Sequence, residues 1–560
     1  MKKSRYPETR RRAFILSVLF IGMVSLIQPG CDCSSDSSVA APPPVSSVFP
    51  EQDDTALVST LVTATFSEDM DESTINTSTF TLTVGGAPVP ATVAYDATTK
   101  TATLSPNIDL DSGSEYLATI TTDVKTTLGG SPLPSNQIWS FTISPSTLLV
   151  SQNSSGTSSN NVSQIADIDD SGRYIVFESI ATNLSTVNTL GLSQIYRKDT
   201  VTGEVTIVSV NATGQEAANN ASFNPRISSN GRYVVFESRA TNLDPSISTG
   251  GINQIYLKDL EDGSVEITSR DVNDAPDNSL NTAANARVST DGRFVVFESA
   301  DPDLSPIMGI NGITQVYLKD LSDGSVEMIS QTSGGVAGED YSGNPDMTPN
   351  GSHIVFESIA NNLTGSGSLR QIMIRSTTVP ANLWKICVNS SDLDATQDCF
   401  NPSISDDGQL VTFELNQDGF ESNDNNGFTD IYLRLASAGP TRLVSLNSWG
   451  TQSPTNGDST DASISGNGEF IVFKSTATDI LPSPGTNSSG HIYVRDVTTA
   501  LYDVIRVNNP ESGSEATAST DSPVISGDGR YVAFDSIEQY TLTDDIGLRD
   551  VFRGYNGTYQ

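Results

Sequence analysis

One acidic position recurs down most of the chain: Glu178, Glu237, Glu298, Glu357, Glu414 and Asp535, with Lys474 breaking the series. Paired carboxylates of this kind can hydrolyse glycosidic bonds, one giving a proton while the other attacks or activates water. A position repeated in nearly every copy of a motif is also what a structural bond between neighbouring strands requires, and that reading is favoured. A second acidic group is D-G-F-E-S-N-D-N-N-G-F-T-D at 418–430. Its Asp418, Asp424 and Asp430 are hard oxygen donors of the sort calcium takes. The segment lacks the ordered spacing and terminal Glu of an EF-hand, so a solvated polar loop is the favoured reading; no other cofactor is expected. Glu68, Asp69 and Asp71 form a smaller cluster, read as a solvated turn. The only two histidines, His353 and His491, have no partner in local sequence. Multi-histidine metal sites and histidine-dependent catalysis are therefore not expected. Cys387 and Cys399 stand twelve apart and are expected to form a disulfide worth about 3 kcal/mol. Paired cysteines or histidines for a zinc site are missing nearby.

The elements that must position these residues repeat. The phrase I-D-D-S-G-R-Y-I-V-F-E-S at 168–179 returns as I-S-S-N-G-R-Y-V-V-F-E-S at 227–238 and V-S-T-D-G-R-F-V-V-F-E-S at 288–299. Further copies start at Met347, Ile404, Ile464 and Ile525. The turn glycines, from Gly172 to Gly529, are spaced 59, 61, 59, 57, 60 and 61 residues apart, which marks a repeat architecture. Within a copy, a strand ends in Asp/Asn-Gly, which reverses the chain tightly. A second strand such as R-Y-V-V-F-E-S is apolar on both faces and must be covered on both. A third follows, as in Q-I-Y-L-K-D at 254–259, and then a fourth, as in V-E-M-I-S-Q at 326–331. The seventh copy ends after its third strand, D-V-F-R at 550–553, while T-L-L-V-S-Q-N at 147–153 precedes the first copy as an orphan. Four strands in seven copies predict a seven-bladed β-propeller over 147–560, its last blade completed and its ring closed by that N-terminal strand. The cysteine pair would staple the connection between blades four and five.

Residues 1–12 carry six bases and one acid, and Ala13–Ile27 is an uncharged run of signal-peptide length. Residues 1–30 therefore read as a signal peptide. Gln28-Pro29-Gly30 leads to Cys31, and the arrangement resembles the bacterial lipoprotein signal, although Gln28 sits where that family has leucine. The resemblance implies a lipid on Cys31, the chain being held on a membrane through it; ordinary secretion or an uncleaved anchor are the alternatives. Residues 31–44 are small, polar and Pro-rich, a flexible tether. Cys33 is a spare within it.

Residues 45–145 alternate apolar and polar in short runs, such as L-V-T-A-T-F at 61–66 and I-W-S-F-T-I at 138–143, which predicts a β-sandwich. V-F-P-E-Q-D-D at 48–54, T-F-S-E-D-M-D at 65–71, S-T-I-N-T-S-T-F-T-L at 73–82 and W-S-F-T at 139–142 resemble the bacterial Ig-like domain of the S-layer type, a spacer and adhesion module. The repeat phrase together with Q-I-Y-L-K-D resembles the TolB-type, WD-like propeller of bacterial envelope proteins, which implies a binding role.

The whole is expected to be all-β, an Ig-like sandwich followed by the propeller. With 67 acidic and 30 basic side chains among 560, the formal charge is −37. A broad phosphate-neutralising face, and hence nucleic-acid binding, is excluded. No segment remains for a hydrolase domain with a G-x-S-x-G elbow, and the sialidase turn motif S-x-D-x-G-x-x-W does not fit the turns. The expected function is a non-enzymatic, exported, lipid-anchored envelope protein, on the periplasmic side or the cell surface, that binds a protein or an envelope glycan. A carboxylate-dependent enzyme acting on polysaccharide, or a structural adhesion component, is the alternative.

Overall fold

The computed structural model describes residues 45–556 apart from short segments, of which the longest are 272–282, 448–454, 482–489, 499–503, 508–519 and 541–546. Residues 1–44, with Cys31 and Cys33, lie outside the described residues. The chain divides into two compact units. The first holds most of the residues up to Phe141; the second runs from Thr142 onward and includes Thr55–Val58 and Leu110–Ser114.

The N-terminal strands are β1 (Val45–Phe49), β2 (Asp54–Ala56), β3 (Val62–Phe66), β4 (Phe80–Val84), β5 (Ala87–Pro88), β6 (Ala91–Asp96), β7 (Thr101–Pro106), β8 (Glu115–Ile120) and β9 (Gln137–Ile143). They form a four-stranded sheet, β1-β3-β7-β6, and a five-stranded sheet, β2-β9-β8-β4-β5. The period-two pattern decides which face is buried. Val62, Ala64 and Phe66 of β3 point inward, as do Trp139, Phe141 and Ile143 of β9. Trp139 lies against Phe80 with ring centroids 6.0 Å apart.

In the second unit each copy of the repeat folds into one antiparallel sheet. Its first, or inner, strands are Ser163–Ile168, Ser222–Ile227, Ala284–Val288, Ser342–Met347, Cys399–Ile404, Ser459–Ile464 and Thr520–Ile525. The second strands, such as Tyr233–Ser238, are covered on both faces, with Val234, Val235 and Phe236 wholly buried. The aromatic residue of the second strand stacks on that of the third: Phe177 on Tyr196 and Phe236 on Tyr256, each at 5.8 Å, and Phe413 on Tyr432 at 5.6 Å. The seventh sheet takes its fourth strand from β10 (Thr147–Leu149), which pairs with the strand Asp550–Tyr555.

The expected closed seven-bladed propeller is corrected. Among the described residues the strands form nine separate antiparallel sheets, eight of four strands and one of five. Each hydrogen-bonded ladder stops at its own edge strands, so no ladder runs from one sheet into the next. Between successive sheets of the second unit the contact is made by side chains and isolated backbone groups. The turn glycine of one repeat sits under an aromatic residue of the repeat before it, as Gly292 does under Tyr233.

Candidate functional site

Each inner strand carries one residue with left-handed backbone: Ile165, Asn224, Asn285, Asn344, Asn401, Asp461 and Ser522, all with φ between 48° and 55°. Asparagine tolerates that conformation better than most residues. The resulting bulge turns the backbone N–H of this residue toward the acid on the second strand of the preceding sheet. Asn224 N–H donates to Glu178 at 3.2 Å, Asn285 to Glu237 at 3.0 Å, Asn344 to Glu298 at 2.6 Å, Asn401 to Glu357 at 2.9 Å and Asp461 to Glu414 at 2.7 Å. Ile165 N–H donates to Asp535 of the seventh repeat at 3.2 Å. The asparagine side chains add a second donor from within the same sheet, as from Asn224 to Glu237 at 2.8 Å and from Asn401 to Glu414 at 2.9 Å. The repeated acid is thus an intersheet latch. Burial raises the pKa of Glu178 and Glu298, and pushes Glu414 up to about 7 and Asp535 to about 6, the latter against the pull of Arg549. In the sixth sheet Lys474 takes the place of the acid and forms an ion pair with Asp521 of the seventh.

The inner strands of all seven repeats line one cavity of about 430 Å³. One register position along them carries Asp167, Arg226, Arg287, Asp346, Ser403, Ser463 and Val524, each paired with the middle of its second strand. Four consecutive repeats thus supply a belt of two arginines between two aspartates. Asp167 accepts from Ile227 N–H at 2.8 Å and Asp346 from Ile404 N–H at 3.1 Å. Arg287 donates through Nε to Asp346 at 3.2 Å and through Nη1 to the Ala286 carbonyl at 3.3 Å. Arg226 donates through Nη1 to the Pro225 carbonyl at 2.9 Å. Burial, and then the like charge of Arg287, lowers Arg226 to about 10.

Three residues further on, in the turns beyond these strands, the cavity is lined by Asp170, Ser229, Pro349, Asp406, Gly466 and Gly527. The two glycines have no left-handed backbone to explain them. A Cβ on Gly466 would collide with the Asp406 carboxylate, and one on Gly527 with that of Asp170. The two carboxylates therefore lean over neighbouring glycines of repeats six and seven. Burial, and then the charge of Asp406, pushes Asp170 up to about 7. Asp406 is also raised, by burial and then by Asp346.

The residues singled out in the sequence fall elsewhere. Asp418 is exposed and accepts from Gly427 N–H at 2.8 Å. Asp424 is buried and accepts from the Tyr432 hydroxyl. Asp430 is buried, accepting from the Ser445 hydroxyl and from Asn426 at 2.8 Å, and its pKa is pushed up to about 7 by burial. Among the described residues no group of three or more His, Cys, Asp or Glu is placed to hold a metal ion. His353 packs edge-on to Trp384 and His491 edge-on to Tyr493, in different sheets. Cys387 and Cys399 are joined by a disulfide, Cα atoms 6.5 Å apart. Cys387 lies just beyond the fourth strand Leu383–Lys385, and Cys399 opens the inner strand of repeat five. The cavity residues escaped sequence reasoning because the repeats diverge where they line it. Aligning the copies and asking where charge appears in only some of them would have found Arg226 and Arg287.

No curated protein matches the sequence. Solved structures that resemble it do so remotely. The putative TolB from Agrobacterium tumefaciens is 14% identical with a TM-score of 0.32, over 50% of this chain and 80% of that one. A puromycin-hydrolysing peptidase from Mycobacterium tuberculosis is 13% identical with a TM-score of 0.40, over 72% of this chain and 56% of the peptidase. U3-55K is 9% identical with a TM-score of 0.39, over 73% of this chain and 98% of that one. These likenesses leave the expected TolB-type propeller without support, and they carry nothing about activity. The N-terminal expectation fares differently: residues 39–143 match the bacterial Ig-like domain family.

Proposed function

We propose that this chain is a non-enzymatic, exported binding scaffold, held at the envelope through Cys31, that takes part of a protein or glycan partner into the cavity between its inner strands. One observation carries the reading. The acids numerous enough to suggest catalysis are used up in latching one sheet to the next, while the cavity is faced by side chains that differ from repeat to repeat. Structural positions repeat because every copy needs them; divergent positions around one cavity are free to fit one ligand. Among the described residues the cavity lining contains no aromatic side chain, which favours a protein segment over a sugar ring stacked on an aromatic face.

The test is capture from envelope extract by the full chain and by Ser463→Trp, which fills the cavity. The expected result is a saturable partner held by the wild type and lost by the variant. A chain that retains no partner at any salt concentration overturns the scaffold; a partner held equally by Ser463→Trp moves recognition away from the cavity. Palmitate labelling compared with Cys31→Ser tests the anchor, which fails if neither label nor membrane association changes.

A second reading is a carboxylate-dependent enzyme acting on polysaccharide. It is favoured by Asp170 and Asp406, which lean over two glycines with raised pKa values. Release of reducing ends from envelope glycan by the wild type, abolished in Asp170→Asn, would establish it in place of the scaffold.

A further inference from the structure

We propose that Arg226 and Arg287 form a binding site for a single carboxylate within the cavity, so that the cavity reads a chain terminus or an acidic group of its ligand. The proposal rests on the scaffold reading above and specifies its ligand chemistry.

The two guanidiniums come from the same register position of adjacent inner strands and face the same cavity. Burial and then the nearby charge of Arg287 lower the proton affinity of Arg226, an arrangement that folding alone does not favour. A guanidinium offers five N–H donors in a rigid fork. Arg226 commits Nη1 to the Pro225 carbonyl, and Arg287 commits Nε and Nη1 to Asp346 and the Ala286 carbonyl. Among the described residues their remaining donors have no protein acceptor. Arg226 in particular forms no ion pair with Asp167, which accepts from Ile227 N–H. A planar acceptor with two oxygens fits such a fork and supplies the missing bonds.

The charge around the belt selects among anions. Asp167 and Asp346 flank the two arginines, and the chain as a whole carries −37. A phosphate dianion meets that field with twice the penalty of a carboxylate. Ser403 and Ser463 on the facing inner strands offer neutral hydroxyl groups to whatever the carboxylate is attached to. A peptide terminus and a uronic acid both present this group, and the two sources are separated by the probes used.

The experiment is calorimetric titration of the full chain with N-acetylglycine, its amide N-acetylglycinamide, glucuronate and inorganic phosphate. Charged hydrogen bonds of this kind predict that the amide binds about tenfold more weakly than N-acetylglycine, or worse, and that Arg226→Gln and Arg287→Gln each cost the carboxylate about as much. Arg226→Lys keeps the charge without the fork and should fall between, which keeps the test informative if a glutamine variant does not fold. Preference for N-acetylglycine over glucuronate identifies a chain terminus as the ligand feature, the reverse an acidic sugar; either supports the site. Equal binding of acid and amide, tighter binding of phosphate, or absence of saturable carboxylate binding overturns it. If the captured partner is retained by Arg226→Gln and no carboxylate binds, this site fails while the scaffold stands. If carboxylates bind but no partner is captured, the site stands and the scaffold fails.

Discussion

Glu237 shows what the repeated acid does. It accepts from the backbone N–H of Asn285 in the next sheet at 3.0 Å, from Asn224 at 2.8 Å and from Asn253 at 2.8 Å, and it is buried. Glu237→Ala leaves three donors unmet in a site closed to water, where each orphan costs about 1–3 kcal/mol. Urea unfolding should show a loss of about 3 kcal/mol or more. Glu237→Gln keeps a carbonyl acceptor, shape and volume, and should lose clearly less. A catalytic acid would behave in the opposite way: the isosteric change would leave stability alone and remove activity. The role was legible in the sequence, because six acids at one position of a period near 60 point to a shared bond. The partner was not legible, since the donating N–H belongs to a bulge whose left-handed residue varies from Ile to Asn to Asp.

At the scale of the element, the seams between sheets carry the stability that no continuous ladder provides. Gly292 has φ +73°, and a Cβ there would lie 2.6 Å from the Tyr233 ring of the preceding repeat. Gly263 has φ +80°, and its Cβ would meet nothing nearer than the Ala212 carbonyl at 3.8 Å. Gly263→Ala should therefore cost only the left-handed strain, about 1 kcal/mol, whereas Gly292→Ala must also displace the ring and should cost about 2 kcal/mol more. Equal losses in urea unfolding would show that the aromatic residue gives way freely. At the seam between repeats four and five the disulfide adds a covalent link between two buried cysteines. Replacing both with serine reopens a short loop in the unfolded chain, and should lower stability by about 3 kcal/mol under oxidising conditions. Strand positions and turns were readable from the sequence because alternation and Asn/Asp-Gly pairs are local signals. The separation into sheets with their own edges was not, because repeated strands say how many ladders exist and leave open where each ladder stops. The cavity belt was hidden for a related reason: Asp167, Arg226, Arg287 and Asp346 lie about sixty residues apart, and only the fold sets them side by side.

For the whole molecule, two populations of acid pull stability in opposite directions as pH changes. Asp199, Asp259 and Asp320 are held below the ordinary carboxylate range, Asp320 at about 2, with bidentate arginines Arg173, Arg232 and Arg293 prominent among the causes. A depressed folded pKa means the unfolded chain binds the proton first, so this stabilisation is full above about pH 4 and is lost as pH falls toward 2. Glu414, Asp430 and Asp170 at about 7, and Asp535 at about 6, are raised by burial. For these the folded state holds the proton that the unfolded chain releases, so stability falls as pH rises from about 4.5 through 7. Their charging is part of what brings the formal net charge to −37, and that self-repulsion acts in the same direction. The two trends meet between them. Thermal unfolding followed across the range should show greatest stability near pH 5, with a decline on both sides, and Glu414→Gln should flatten the alkaline limb while leaving the acid limb in place. A stability maximum at neutral pH or above would mean that the buried acids are ionised at no cost in the folded chain. The acids of the latch would then be ionised throughout, with their N–H donors offsetting the cost of burial.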